Sequence, residues 1–139
     1  MKIFRSTDRL EVKIDDVTVF LAPLTFEQKS EVHGLMLKAS EGDTQAGLLG
    51  ARLAVKYAVK DIKGVEDYEG NTYKLDLKDN VLSEECLQDL VNSEISEKLQ
   101  ITSCTLLTGI PTKILDPITN LPIEGVKIIK NSKRVQKKK

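Results

Sequence analysis

The chain has 139 residues, 40% of them hydrophobic and 30% charged, enough for one domain with a buried core that needs no staples. Its 21 Lys+Arg balance 21 Asp+Glu, and its two cysteines are too few for a disulfide scaffold. No apolar run approaches the ~20 residues of a membrane span, and the start "MKIFRSTDRL" meets a second charge too early for a secretory signal.

These totals predict a soluble protein of a reducing cytoplasm. With three Phe, three Tyr and no Trp, the core must be built from Leu, Ile, Val and Ala. Cys86 and Cys104 fall in apolar helical patterns and read as small core residues.

In chain order, "LEVKIDDVTVFLAPL" alternates Leu10, Val12 and Ile14 with polar residues. After Asp15-Asp16 it alternates Val17, Val19 and Leu21 in the same way. Period-two alternation around a short polar turn predicts a β-hairpin, stopped by Pro23. Thr25 with Gln28 three residues later is a capping-box pattern. Val32, Leu35, Met36 and Ala39 then define one apolar face of a helix over about residues 26–39.

The turn "SEGD" separates this helix from a second, "QAGLLGARLAVKYAVK", for which Thr44 is the expected cap. Only Arg52 and Lys56 are charged before its end. Gly47, Ala51, Ala54 and Ala58 make a stripe of small residues, and Leu49, Leu53 and Tyr57 add bulk beside it. This pattern predicts a central helix packed on more than one side.

The next stretch, "VKDIKGVEDYEGNTYKLDLKDN", breaks the helical period, and within it "GVEDYEGNTYKLDL" reads as a small hairpin or structured loop. Ser83 caps an expected helix over residues 84–91, with Cys86, Leu87, Leu90 and Val91 as its apolar face. Two initial glutamates suit the positive end of its dipole. Ser93 is the expected cap of a fourth helix over residues 94–107, closed by Gly109 and Pro111.

From Ile110 the composition changes. Residues 110–139 hold three of the four prolines and show no helical period, yet they remain studded with Ile and Leu. They carry eight basic and two acidic groups, net +6, so residues 1–109 carry 21 − 8 = 13 basic and 21 − 2 = 19 acidic, net −6. The expected architecture is therefore mainly α. A body over 1–109 has an N-terminal β-hairpin, about four helices and a small central hairpin or loop. An extended, proline-containing arm over 110–139 ends in a flexible basic tip.

No motif in the chain points to catalysis, a metal or a cofactor. His33 is the one histidine and reads as a helix-surface residue. The acidic groups "EGD", "VEDYE" and "SEE" lack the alternating ligands of a calcium loop. "GLLG" and "GNT" are not followed by the Lys-Ser/Thr of a phosphate loop. The basic tip has three readings: a solvated tail, a non-specific phosphate binder, or part of a protein-docking arm. The absence of aromatics for base stacking and the acidic body speak against the second. Ile and Leu in the same arm favour the third.

The order of segments resembles one family. A hairpin running into "FLAPLTFEQKSEV", an Ala-rich helix, "YAVKDIKGVEDYEGNTYKLDL", "LSEECLQDLVNSEISEKL" and the broken arm "DPITNLPIEGV" are similar to the tail assembly chaperones of long-tailed bacteriophages. The likeness covers about residues 10–125 and rests chiefly on "IKGVED…G…YKL…LSEE".

The resemblance implies a non-enzymatic chaperone of the infected host cell's cytoplasm, absent from the mature virion. It would coat the tape measure protein, keep it soluble and help recruit tail tube subunits. It also implies self-association and, in many members, a longer form made by programmed frameshifting that engages the tube protein. Gln136-Lys137-Lys138 can be encoded with a slippery heptamer, which fits such a product. The alternatives are a structural tail or baseplate component of the virion, or a nucleic-acid-binding accessory protein.

Candidate partner-binding residues are Leu35, Met36 and Leu37, as an adaptable apolar patch. Core packing is the competing role for each of these. In the arm they are Ile114, Ile118, Ile123, Lys130, Lys133 and Arg134.

Overall fold

The computed structural model describes residues 5–107 and, beyond them, the backbone of three short strands. β1 (Arg9–Ile14) and β2 (Val17–Leu21) form the expected antiparallel hairpin, with Leu10 opposite Leu21 and Ile14 opposite Val17. Asp15 in the turn has φ 54°, a left-handed conformation that a short polar side chain tolerates. The alternation buries Leu10, Val12, Ile14, Val19 and Leu21 and turns Lys13 to solvent.

α1 (Phe26–Ser40) starts at a complete capping box. Thr25 Oγ1 accepts from the Gln28 amide at 3.2 Å, and Gln28 Oε1 accepts from the Thr25 amide at 2.9 Å. α2 (Thr44–Ala58) is capped by Asp43 and not by Thr44. Asp43 Oδ1 accepts from the Ala46 amide at 3.1 Å. A carboxylate there meets an unpaired amide and the positive end of the helix dipole at once.

α2 runs without a loop into β3 (Val59–Lys63), antiparallel to β2. The sequence pattern carries the second helix through Val59 and Lys60 and signals no strand after it. A bulge explains the miss: Phe20 faces Asp61 and Leu21 faces Val59, so Lys60 is the extra residue and the period of two is broken. The strand ends at Gly64 (φ 86°), where a Cβ would lie 2.7 Å from the carbonyl oxygen of Asp16.

The expected small hairpin follows, held by a bridge between Glu66 and Thr72. Asp67 Oδ1 accepts from the amides of Glu69 (2.9 Å) and Asn71 (3.0 Å) within it. A second hairpin, β4 (Leu77–Lys78) with β5 (Val81–Leu82), had not been expected. Asp79 and Asn80 at its tip have φ 52° and 64°, both positive as a type I′ turn requires.

α3 (Glu84–Val91) begins at Ser83, as read from the sequence. α4 (Ser96–Thr105) starts two residues later than expected, after buried Ile95, and no side chain caps it. Ser93 is not its cap. The Ser93 hydroxyl instead donates to the Leu90 carbonyl at 2.6 Å, closing the end of α3. Gly109 and Pro111 lie outside the described residues.

α2 is central: α1, α3, α4 and β5 all pack on it. One core runs from the sheet face (Leu10, Val12, Val19, Ile62) through Val32, Ala54 and Val55 to Leu87, Leu90, Leu99 and Leu106. In the arm, β6 (Ile114–Leu115) pairs antiparallel with β7 (Pro122–Ile123), Ile114 opposite Ile123. β8 (Lys127–Ile129) lies antiparallel to β1, with Ile128 opposite Leu10, which gives the sheet order β3-β2-β1-β8. Ile118, Lys130, Lys133 and Arg134 lie outside the described residues.

Candidate functional site

The three apolar candidates on α1 do not form one surface. Leu35 and Met36 are half-buried on the side that meets α2. A Cβ added at Gly50 would come within 3.0 Å of Met36 Cε and 3.3 Å of Leu35 Cβ, so both side chains are already packed on the bare backbone of α2. Leu37 is 52% exposed. Its spacing of four from His33 and eleven from Phe26 places all three on one helical face. His33 is exposed, and Phe26, at the N-terminal end of this face, is 79% exposed.

α2 adds two exposed leucines, one of which, Leu49, the sequence pattern gives a packing role. Leu48 is 62% and Leu49 52% exposed. A signal for them was present in the sequence. Adjacent residues on a helix point about 100° apart, so two neighbouring leucines cannot both follow one buried stripe.

A separate feature is an open groove of about 900 Å³ on the α2–α4 side. Ala51 is its one wall residue from α2; Ile101, Cys104, Gln100, Glu97 and Glu94 line the side of α4 and the segment before it. The groove is open because α2 presents only a methyl group there.

Its charge is one-sided. The neighbouring cations are engaged elsewhere: Lys98 Nζ lies 3.1 Å from Asp15, Lys56 Nζ lies 2.8 Å from Glu84, and Arg52 donates to Gln88 at 2.9 Å. Among the described residues, neither Glu94 nor Glu97 has a hydrogen-bonding or ion-pair partner for its carboxylate. The wall hydroxyls are engaged within the chain: Ser93 donates to the Leu90 carbonyl, Thr105 donates to the Thr102 carbonyl at 2.6 Å, and Ser96 Oγ accepts from Gln100 Nε2 at 2.9 Å.

Cys104 is half-buried, and burial pushes its thiol pKa up, so it stays a neutral part of the wall. Cys86 is buried, as expected, and its sulfur accepts from the Asp76 amide at 3.2 Å. Among the described residues no three His, Cys, Asp or Glu side chains cluster as metal ligands. Among them, too, no helix is long and apolar enough to cross a membrane.

No family model matches the chain, and neither the curated proteins nor the solved structures provide a significant match.

Proposed function

We propose that this chain is a tail assembly chaperone of the long-tailed bacteriophage type. It binds the tape measure protein in the host cytoplasm, keeps it soluble and helps recruit tail tube subunits. The observation that supports this most is the exposure of Phe26, Leu37, Leu48 and Leu49 on two helices whose other faces are packed. Large apolar side chains held on rigid helices are what a binder of a long apolar client needs. The resemblance in segment order supplies the class of client. The net −6 of residues 1–109 is consistent with a carrier that must resist its own aggregation.

The test is co-expression with the tape measure protein. The client should partition to the soluble fraction with this chain and pellet without it. Equal pelleting in both cases removes the proposal. Purified virions should also lack the chain; its presence there would favour a structural tail component.

A further inference from the structure

We propose that the groove on the α2–α4 side is a docking site for a basic amphipathic helix. Naming that helix as part of the chaperone's client rests on the function proposed above; the chemistry of the groove does not.

Glu97, Gln100, Ile101, Cys104 and Thr105 follow i, i+3, i+4, i+7, i+8, which is one face of α4, and all of them line the groove. Ten residues of α4 give a wall about 15 Å long, matching roughly three turns of a partner helix. Ala51 opposite them lets a helix approach closely. The wall is graded. Its C-terminal half offers Ile101 and the neutral thiol of Cys104, and its N-terminal end offers the carboxylates of Glu94 and Glu97.

Among the described residues no cation lines the groove, and nearby Lys98 is held by Asp15. The complementary surface is therefore an apolar row with Lys or Arg at the end that meets Glu94 and Glu97. The chain's own "KNSKRVQKKK" has the charge but offers Val135 as its single apolar residue, so it cannot fill the apolar half.

The probe is a 14-residue helical peptide of leucines and lysines on opposite faces, titrated calorimetrically into the full chain. A Leu/Glu counterpart serves as control. The Leu/Lys peptide should bind saturably, slow alkylation of Cys104 by iodoacetamide, and lose at least tenfold in affinity in 0.5 M salt. The variant Glu94→Lys with Glu97→Lys should lose a similar factor while its circular dichroism and thermal unfolding stay those of the parent; both positions are on the surface. Equal binding by the variant, equal binding of the Leu/Glu peptide, or binding that occurs only after removal of residues 130–139 would overturn the assignment. The last outcome would give the groove to the chain's own tail.

Co-expression separates this inference from the functional one. If the charge-reversed variant solubilises the tape measure protein as well as the parent does, the groove is not the client site and the chaperone reading stands. If the parent itself fails, the chaperone reading falls and the peptide titration alone decides the groove.

Discussion

The phenol of Tyr73 donates a 2.6 Å hydrogen bond to Asp89 Oδ2, tying the loop after β3 to α3. Burial, and then this bond to a carboxylate, hold the Tyr73 pKa well above the usual phenol range. Tyr73→Phe keeps the ring and removes the donor. It should cost about 1 kcal/mol in urea denaturation. Amide exchange in residues 65–75 should rise with it; unchanged exchange there would show that the ring alone holds the loop.

A second phenol makes a pH prediction. Tyr57 donates to Glu31 across the α1–α2 seam, and burial followed by that hydrogen bond raises its pKa to about 12. A pKa raised in the folded state means that the protonated phenol is the stabilising form. That contribution is complete below the unfolded value of about 10 and is lost as the pH climbs from there through 12. Phenolate absorbance should therefore show a step near pH 12 that Tyr57→Phe removes and Glu31→Gln moves downward.

The close approach of α1 and α2 predicts opposite outcomes at two glycines. Gly50→Val pushes branched carbons into Met36 and Leu35 and should destabilise by about 1–3 kcal/mol. Gly34 lies on the exposed side of α1 with nothing within 4 Å of an added Cβ. Gly34→Ala should stabilise by about 0.5–1 kcal/mol through helix propensity. Chemical denaturation of both variants decides it; a Gly50→Val protein as stable as the parent would show that the seam is loose.

Removal of residues 110–139 tests how far the arm is separable. Among the described residues one core runs through the body as far as Leu106, and β8 covers the edge of β1 beside Leu10. The truncated chain should still unfold cooperatively, with a loss below about 2 kcal/mol, because an arm buries less surface than a helical core. It should also aggregate more readily, because the β1 edge is then unpaired. Failure to fold would make the arm part of the core.

Local patterns carried much of the fold. The β1–β2 alternation, the Thr25–Gln28 box and Ser83 before two glutamates each depend on neighbours within a few residues, so the chain spells them out. What needed tertiary structure lay where two elements meet. β3 is a strand because β2 offers it an edge, and the bulge at Lys60 hides its period. Asp43 outcompeted Thr44 because the end of α1 and the turn after it set where α2 begins. The partner-binding candidates divided for the same reason. The apolar character of Leu35, Met36 and Leu37 is written in the sequence, but which of them is covered was decided by the bare backbone of Gly50 on another helix. The groove was not legible, because its α2 wall residue, Ala51, reads in the sequence only as part of a close-packing stripe, and its acidic character depends on where Lys98, Lys56 and Arg52 find partners far away in the chain. Short-range spacing determines which helices and turns can form; burial and charge pairing over long sequence distances determine which of their faces remain open.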